Sequence, residues 1–118
     1  MIEQIIYDYL KDEYQHGNIP APVYLMRPEN IPNNGVYYLI EKTGSSETNH
    51  ITSATIAIQS YAPTLADAAA LNEVIKSAMN EIVDLDEISK SICTTDYNFT
   101  NIADKQPRYQ ALFNVVYY

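Results

Sequence analysis

In the middle of the chain the spacing of apolar residues changes from every second position to the spacing of a helix. From Ile51 to Tyr61 apolar and polar residues alternate, which is the period of a strand with two distinct faces. Pro63 has no N–H to donate and therefore ends the strand. Thr64 then stands where a helix N-cap belongs, and apolar residues recur at helical spacing as far as Ile82. This stretch predicts a strand followed at once by a long amphipathic helix.

The rest of the chain predicts one more helix and several strands. Apolar residues at helical spacing begin at Ile2, and Gly17 is placed to end that helix. A register change after Ile92 predicts a bulge near Thr94–Asp96. We expect an α+β fold with a mainly antiparallel sheet of four to five strands, on which the N-terminal and central helices pack in a single domain, 1–118. The other strand-like runs are Val23–Met26, Val36–Glu41, Ile88–Thr94 and Arg108–Tyr118.

Two polar segments are predicted to be exposed loops. Arg27–Gly35 is dense in turn-forming residues and ends in a tight turn at Asn34-Gly35. Lys42–His50 is polar, contains Gly44 and is predicted to be a long hairpin loop. Because loops carry binding contacts more often than the scaffold does, Lys42–His50 is a candidate for contacts with a protein partner.

The formal net charge of −8 narrows the range of partners. Only seven residues are basic and they do not cluster, which argues against binding to phosphate backbones or to membrane surfaces. Residues 48–66 lack Asp, Glu, Lys and Arg, but polar residues alternate with apolar ones there, so this run is not expected to span a membrane. The chain opens with Met-Ile-Glu-Gln and has one cysteine, so we expect cytoplasmic synthesis without an internal disulfide.

No catalytic pattern is present in the sequence. Both histidines are isolated, and Gly-x-Ser-x-Gly, His-Glu-x-x-His, Cys-x-x-Cys and dinucleotide-binding fingerprints are missing. The sequence therefore predicts no cofactor and no metal ion, and it favours an acidic α+β domain that works by binding rather than an enzyme.

Several segments resemble the small tail-completion, or tail-terminator, proteins of long-tailed bacteriophages, which are also called neck, minor capsid or minor tail proteins. The similarity covers nearly the whole chain and lies in the order of elements and the character of their side chains. The residues that carry it are Ile56–Ala62, Ala68–Leu71 with Val74 and Met79, Tyr97–Thr100 and Pro107–Ala111.

The resemblance implies a non-enzymatic virion assembly protein. Such proteins form a homo-oligomeric ring, usually a hexamer, at the head-proximal end of the tail tube. The ring ends tail polymerisation and joins the tube protein to the head-completion or connector protein, while DNA only passes through it. We therefore expect assembly in the host cytoplasm, a final location at the tail–head junction of the virion, and no membrane partner.

The family makes its contacts through loops and sheet edges. Carried to this sequence, that implies partner or oligomer contacts at Arg27, Asn33, Lys42, Thr43, Gly44, Ser45, Ser46, Glu47, Asn49, His50, Arg108 and Tyr109. An acidic chain fits the role if its carboxylates face the lumen, because like charge keeps DNA from adhering.

A second interpretation is an acidic inhibitor of the DNA-mimic type, which would occupy a basic site on a host protein. The carboxylates are scattered along the sequence, whereas mimics rank them along a surface. A ring needs a heterologous interface that closes, and a mimic can act as a monomer. A small enzyme with an unrecognised site is the third interpretation.

Overall fold

A computed structural model describes residues 1–103 and 105–118 as two helices packed on one five-stranded sheet. The strand order is β1-β2-β3-β5-β4, and every neighbouring pair is antiparallel except β1 and β2. The predicted fold class is confirmed. The elements are α1 (Ile2–Gln15), β1 (Val23–Tyr24), β2 (Tyr37–Thr48), β3 (Ile51–Tyr61), α2 (Leu65–Asn80), β4 (Ile88–Asn98) and β5 (Arg108–Tyr117), with short 3-10 turns at Asn33–Gly35 and Glu81–Asp84.

Both helices cover the same face of the sheet. The helices bury the apolar side chains that recur at helical spacing in the sequence. Burial of each large aliphatic side chain stabilises the fold by roughly 1.5–3 kcal/mol. Two tyrosine hydroxyls tie the layers together, since Tyr9 donates to the carbonyl of Ala78 and Tyr38 to that of Leu71, both at 2.9 Å. The main contributors to this core are Ile6, Leu10, Ile40, Ile56, Ile58, Ile75, Met79 and Phe113.

The start of α2 follows the sequence prediction closely. The Thr64 hydroxyl accepts a hydrogen bond from the backbone N–H of Asp67 at 3.2 Å, which satisfies one of the free donors of the first helical turn. Asp67 adds a carboxylate near the positive end of the helix dipole.

Three residues are skipped in the strand register, and each one carries a hydroxyl. Thr43 lies opposite no residue of β3, and Ser89 and Thr94 lie opposite none of β5. Their hydroxyls donate to carbonyls of the neighbouring strand at 3.4, 3.3 and 3.2 Å, respectively. A bulge interrupts the ladder of backbone hydrogen bonds, and the hydroxyl supplies a replacement donor. The predicted bulge near Thr94–Asp96 is confirmed.

The prediction of a long loop at Lys42–His50 was wrong. The strand β2 continues to Thr48, and a two-residue turn of Asn49 and His50 leads directly into β3. The outer half of this hairpin is exposed on both faces, so polar residues are stable there as a strand without an apolar period. For the same reason β4 extends beyond the predicted Thr94 to Asn98.

The turn at Asn49 and His50 is strained for ordinary side chains. Their φ angles are +52° and +67°, and type I′ hairpin turns require such positive values at both central positions. Asparagine and histidine occur in this region more often than most residues, but any side chain with a Cβ meets a steric cost there that glycine avoids.

We predict that His50→Gly stabilises the protein by about 0.5–1 kcal/mol, because glycine adopts positive φ without a Cβ clash. The matched variant His50→Val is expected to destabilise it by about 1–2 kcal/mol. Urea unfolding followed by circular dichroism measures both variants. Equal stability of the two would contradict this account of the turn.

Candidate functional site

The face of the sheet that carries no helix holds a second, smaller cluster of buried aromatic side chains. The rings of Tyr37 and Tyr61 stack with centroids 4.5 Å apart and planes 9° apart. Tyr24 meets Tyr37 edge-on, with centroids 5.9 Å apart, and Leu39 completes the cluster. The cluster lies at the end of the sheet where β3 ends and β5 begins.

A chain of buried side-chain amides continues from this cluster across the sheet. Gln59 Nε2 donates to Gln110 Oε1 at 2.8 Å, and Gln110 Nε2 donates to the Tyr97 hydroxyl at 2.6 Å. The Tyr61 hydroxyl donates to Gln59 Oε1 at 3.3 Å. Because buried amides are costly unless hydrogen-bonded, these links fix the side chains in one arrangement.

Arg108 holds a positive charge in a fixed position beside the cluster. Its guanidinium lies 4.5 Å from the centre of the Phe99 ring and 5.8 Å from that of Tyr61. Nη1 donates to the Tyr61 hydroxyl at 3.0 Å, and Nε donates to the carbonyl oxygen of Phe99. These contacts use the planar fork of arginine, which a lysine cannot reproduce.

The clustered side chains border a groove of about 550 Å³. The groove is lined by three of the predicted contact residues, Arg27, Thr43 and Arg108. Arg27 and Arg108 are 81 positions apart in the sequence. The other residues that line the groove are Leu25, Leu39, Ile40, Glu41, Gln59, Tyr61, Phe99 and Gln110. The groove combines the fixed cation of Arg108 and the carboxylate of Glu41 with amide groups on a partly apolar floor.

The remaining predicted contact residues lie elsewhere. Asn33 is in the 3-10 turn before β2, where its Nδ2 donates to the carbonyl of Val36 at 2.9 Å. Tyr109 is half-buried and packs against the main core on the helix-covered face. Lys42 is exposed on β2, and the residues along the outer half of the hairpin and its turn are Gly44, Ser45, Ser46, Glu47, Asn49 and His50.

The sequence interpretation missed the amide chain and the stacked tyrosines. Gln59 and Gln110 are 51 positions apart, so no local pattern connects them. A usable signal was present, since each glutamine lies in the apolar part of a strand, where an exposed position is not expected.

We predict that Arg108→Lys lowers the free energy of unfolding by about 1–2 kcal/mol, because the lysine cannot donate to Phe99 and Tyr61 together. Lys90→Arg, at an exposed position of β4, is expected to change it by less than about 0.5 kcal/mol. Urea unfolding of both variants is the measurement. Wild-type stability of Arg108→Lys would refute the anchoring role.

The net charge is confined to one part of the molecule. Residues 2–15 and 65–87, here called the helical layer, contain ten acidic and two basic residues. The rest of the chain contains five of each. The helical layer therefore carries the whole net charge of −8, and the sheet with its loops is neutral overall.

Carboxylates that are scattered in the sequence converge around Tyr9 in the structure. Burial raises the pKa of Tyr9 to about 12, and the nearby charges of Glu13, Glu81 and Asp84 add to the shift. These groups come from α1 and from the turn after α2, so the fold brings carboxylates from two parts of the chain near one hydroxyl.

This pKa shift has a defined effect on stability at high pH. Because the pKa is raised in the folded state, the proton on Tyr9 stabilises the fold fully below pH about 10, the unfolded value. That contribution is lost as the pH rises towards 12.

We predict that the stability advantage of the wild type over Tyr9→Phe shrinks by about 1–2 kcal/mol between pH 10 and 12, after allowance for solvent screening at this partly exposed site. Urea unfolding at a series of pH values measures the difference. Tyr14→Phe removes an exposed tyrosine of the same helix and controls for the loss of a phenol. A constant difference between wild type and Tyr9→Phe would disprove the coupling.

Comparison with known proteins does not identify the chain: no protein family and no curated protein matches it. Within residues 1–103 and 105–118, no three histidine, cysteine, aspartate or glutamate side chains come close enough to hold a metal ion. In the same ranges, no helix has the length and apolar character needed to cross a bilayer.

Proposed function

We propose that this protein is a structural component of a long-tailed bacteriophage, a tail-terminator ring that ends tail-tube polymerisation and joins the tube to the head connector. The observation that carries the proposal is the separation of charge between the acidic helical layer and the neutral sheet. The order of elements in the fold is also that of the sequence resemblance.

Charge separation suits a ring through which DNA passes. With the helical layer towards the lumen, each copy presents its net charge of −8 to the DNA. Like charge prevents the adhesion that Lys and Arg contacts to phosphates would cause. The neutral part of the molecule is left for contacts with proteins.

Exposed apolar side chains lie at both ends of the sheet. Met26, Ile31 and Ile102 are 82%, 71% and 88% exposed, in the loops where β2 begins and β4 ends. Ile51 and Tyr118 are 58% and 88% exposed at the opposite end. Burying such side chains against another protein is favourable. Two apolar ends suit a protein that is sandwiched between the tail tube and the connector.

The second candidate is an acidic inhibitor of a host protein. The convergence of Glu13, Glu81 and Asp84 around Tyr9 favours it, because a basic binding site is complementary to a group of carboxylates. The two candidates differ in assembly: an inhibitor can act as a monomer, and the terminator must form a ring.

We predict that phage particles made without this gene have tails of abnormal, mostly excessive, length that fail to join heads, because nothing ends polymerisation. Electron microscopy of lysates measures tail length, and expression of the wild-type gene from a plasmid is the control. Flanking genes for a tail-tube protein and a connector are expected. Tails of normal length joined to heads would refute the proposal.

A further inference from the structure

Within the part of the chain that the structure describes, the sheet has two long edges that no strand covers. On one side, β1 pairs only with Tyr38 and Leu39 of β2, so the outer edge of β2 is unpaired by any strand from Ile40 to Thr48. On the other side, β4 is the last strand, and nothing in the described part of the chain pairs with its outer edge. Such edges are templates for pairing with another chain.

Protection of the two edges against pairing is partial, because each strand contains one lysine and at least one bulge. Both strands lack proline, and their central stretches, Thr43–Ser46 and Ser91–Thr95, lack charge. Ile92 is 45% exposed in the middle of β4. Natural proteins usually shield a long edge with lysine, proline or a covering segment.

Each of the two edges also carries a bulge close to one row of the sheet. One row of directly paired residues crosses the strands β2, β3, β5 and β4 in that order. Its members are Lys42, Ile56, Phe113 and Cys93. The bulges at Thr43 and Thr94 each directly follow a residue of this row. A bulge bends its strand, and because β4 runs opposite to β2, the two bends lie on opposite sides of this row and next to it.

Strand direction fits a repeated, side-by-side arrangement. Three successive antiparallel pairings make β4 run opposite to β2. When a second copy is placed beside the first in the same orientation, its β2 runs antiparallel to β4 of the first. The alternation of the sheet then continues from copy to copy, with the helical layer on one side throughout.

We infer that copies of this chain join head to tail by antiparallel pairing of the β4 edge of one copy with the β2 edge of the next. The inference deepens the proposed function and rests on it for the expectation that the series closes into a ring. The contact is heterologous, because it uses two different surfaces, and heterologous contacts can close into rings.

The lone cysteine makes this contact testable by disulfide formation. Cys93 is exposed on β4 and pairs with Phe113, so it lies on the helix side of the sheet. Lys42, Ser45 and Glu47 lie on that side of β2, as their pairing with β3 shows. The variants Lys42→Cys, Ser45→Cys and Glu47→Cys place a thiol at three positions along this edge, and each tests a different register.

The variants are oxidised with diamide and examined on non-reducing gels, and light scattering gives the size of the native species. At least one variant is expected to form a ladder of disulfide-linked multimers that stops at one discrete size. The same variant with Cys93→Ser should lose the ladder, and circular dichroism checks folding. Wild-type protein should stay unlinked.

The other outcomes separate the inference from the proposed function. A Cys93–Cys93 dimer of the wild type would show two β4 edges meeting and would overturn the inference. A discrete ring without any ladder would overturn it and leave the proposed function standing. A monomer at every concentration would overturn both. A ladder together with joined tails of normal length in the deletion strain would uphold the edge contact and refute the tail-terminator role.

Discussion

Burial of β3 on both faces is the constraint on which the rest of the structure depends. On one face Ile56 and Ile58 meet the two helices, and on the other Gln59 and Tyr61 lie under loops and neighbouring side chains. A strand covered on both faces must sit inside a sheet, and β2 and β5 flank it for almost its whole length. The helical layer, the amide chain and the groove are all arranged around it.

The same arrangement determines where charge can reside. Ten carboxylates belong to the helical layer, whose outer side faces solvent because its inner side fills the core. The sheet keeps only a balanced set of charges, and the cation of Arg108 is held there by aromatic rings. An acidic protein thus retains a neutral surface for contacts.

Sequence periodicity predicted the fold class, the extent of β3, the Thr64 cap and the bulge after Cys93, since each depends on local pattern. It failed at Lys42–His50, because a strand exposed on both faces has no apolar alternation to detect. Of the candidate site, it found Arg27, Thr43 and Arg108 but not the chain through Gln59 and Gln110. That chain depends on a pairing between distant strands, which no single segment encodes.

Charge separation and open edges belong to one physical argument. Copies that each carry a charge of −8 repel one another, and repulsion is strongest where the charges approach most closely. The edges of β2 and β4 lie in the neutral part of the molecule, so edge pairing keeps the carboxylates mostly beyond the contact. At physiological salt, charges more than about 8 Å apart are largely screened in solvent. An acidic chain can therefore associate with itself through its sheet while its net negative charge stays on the helical layer.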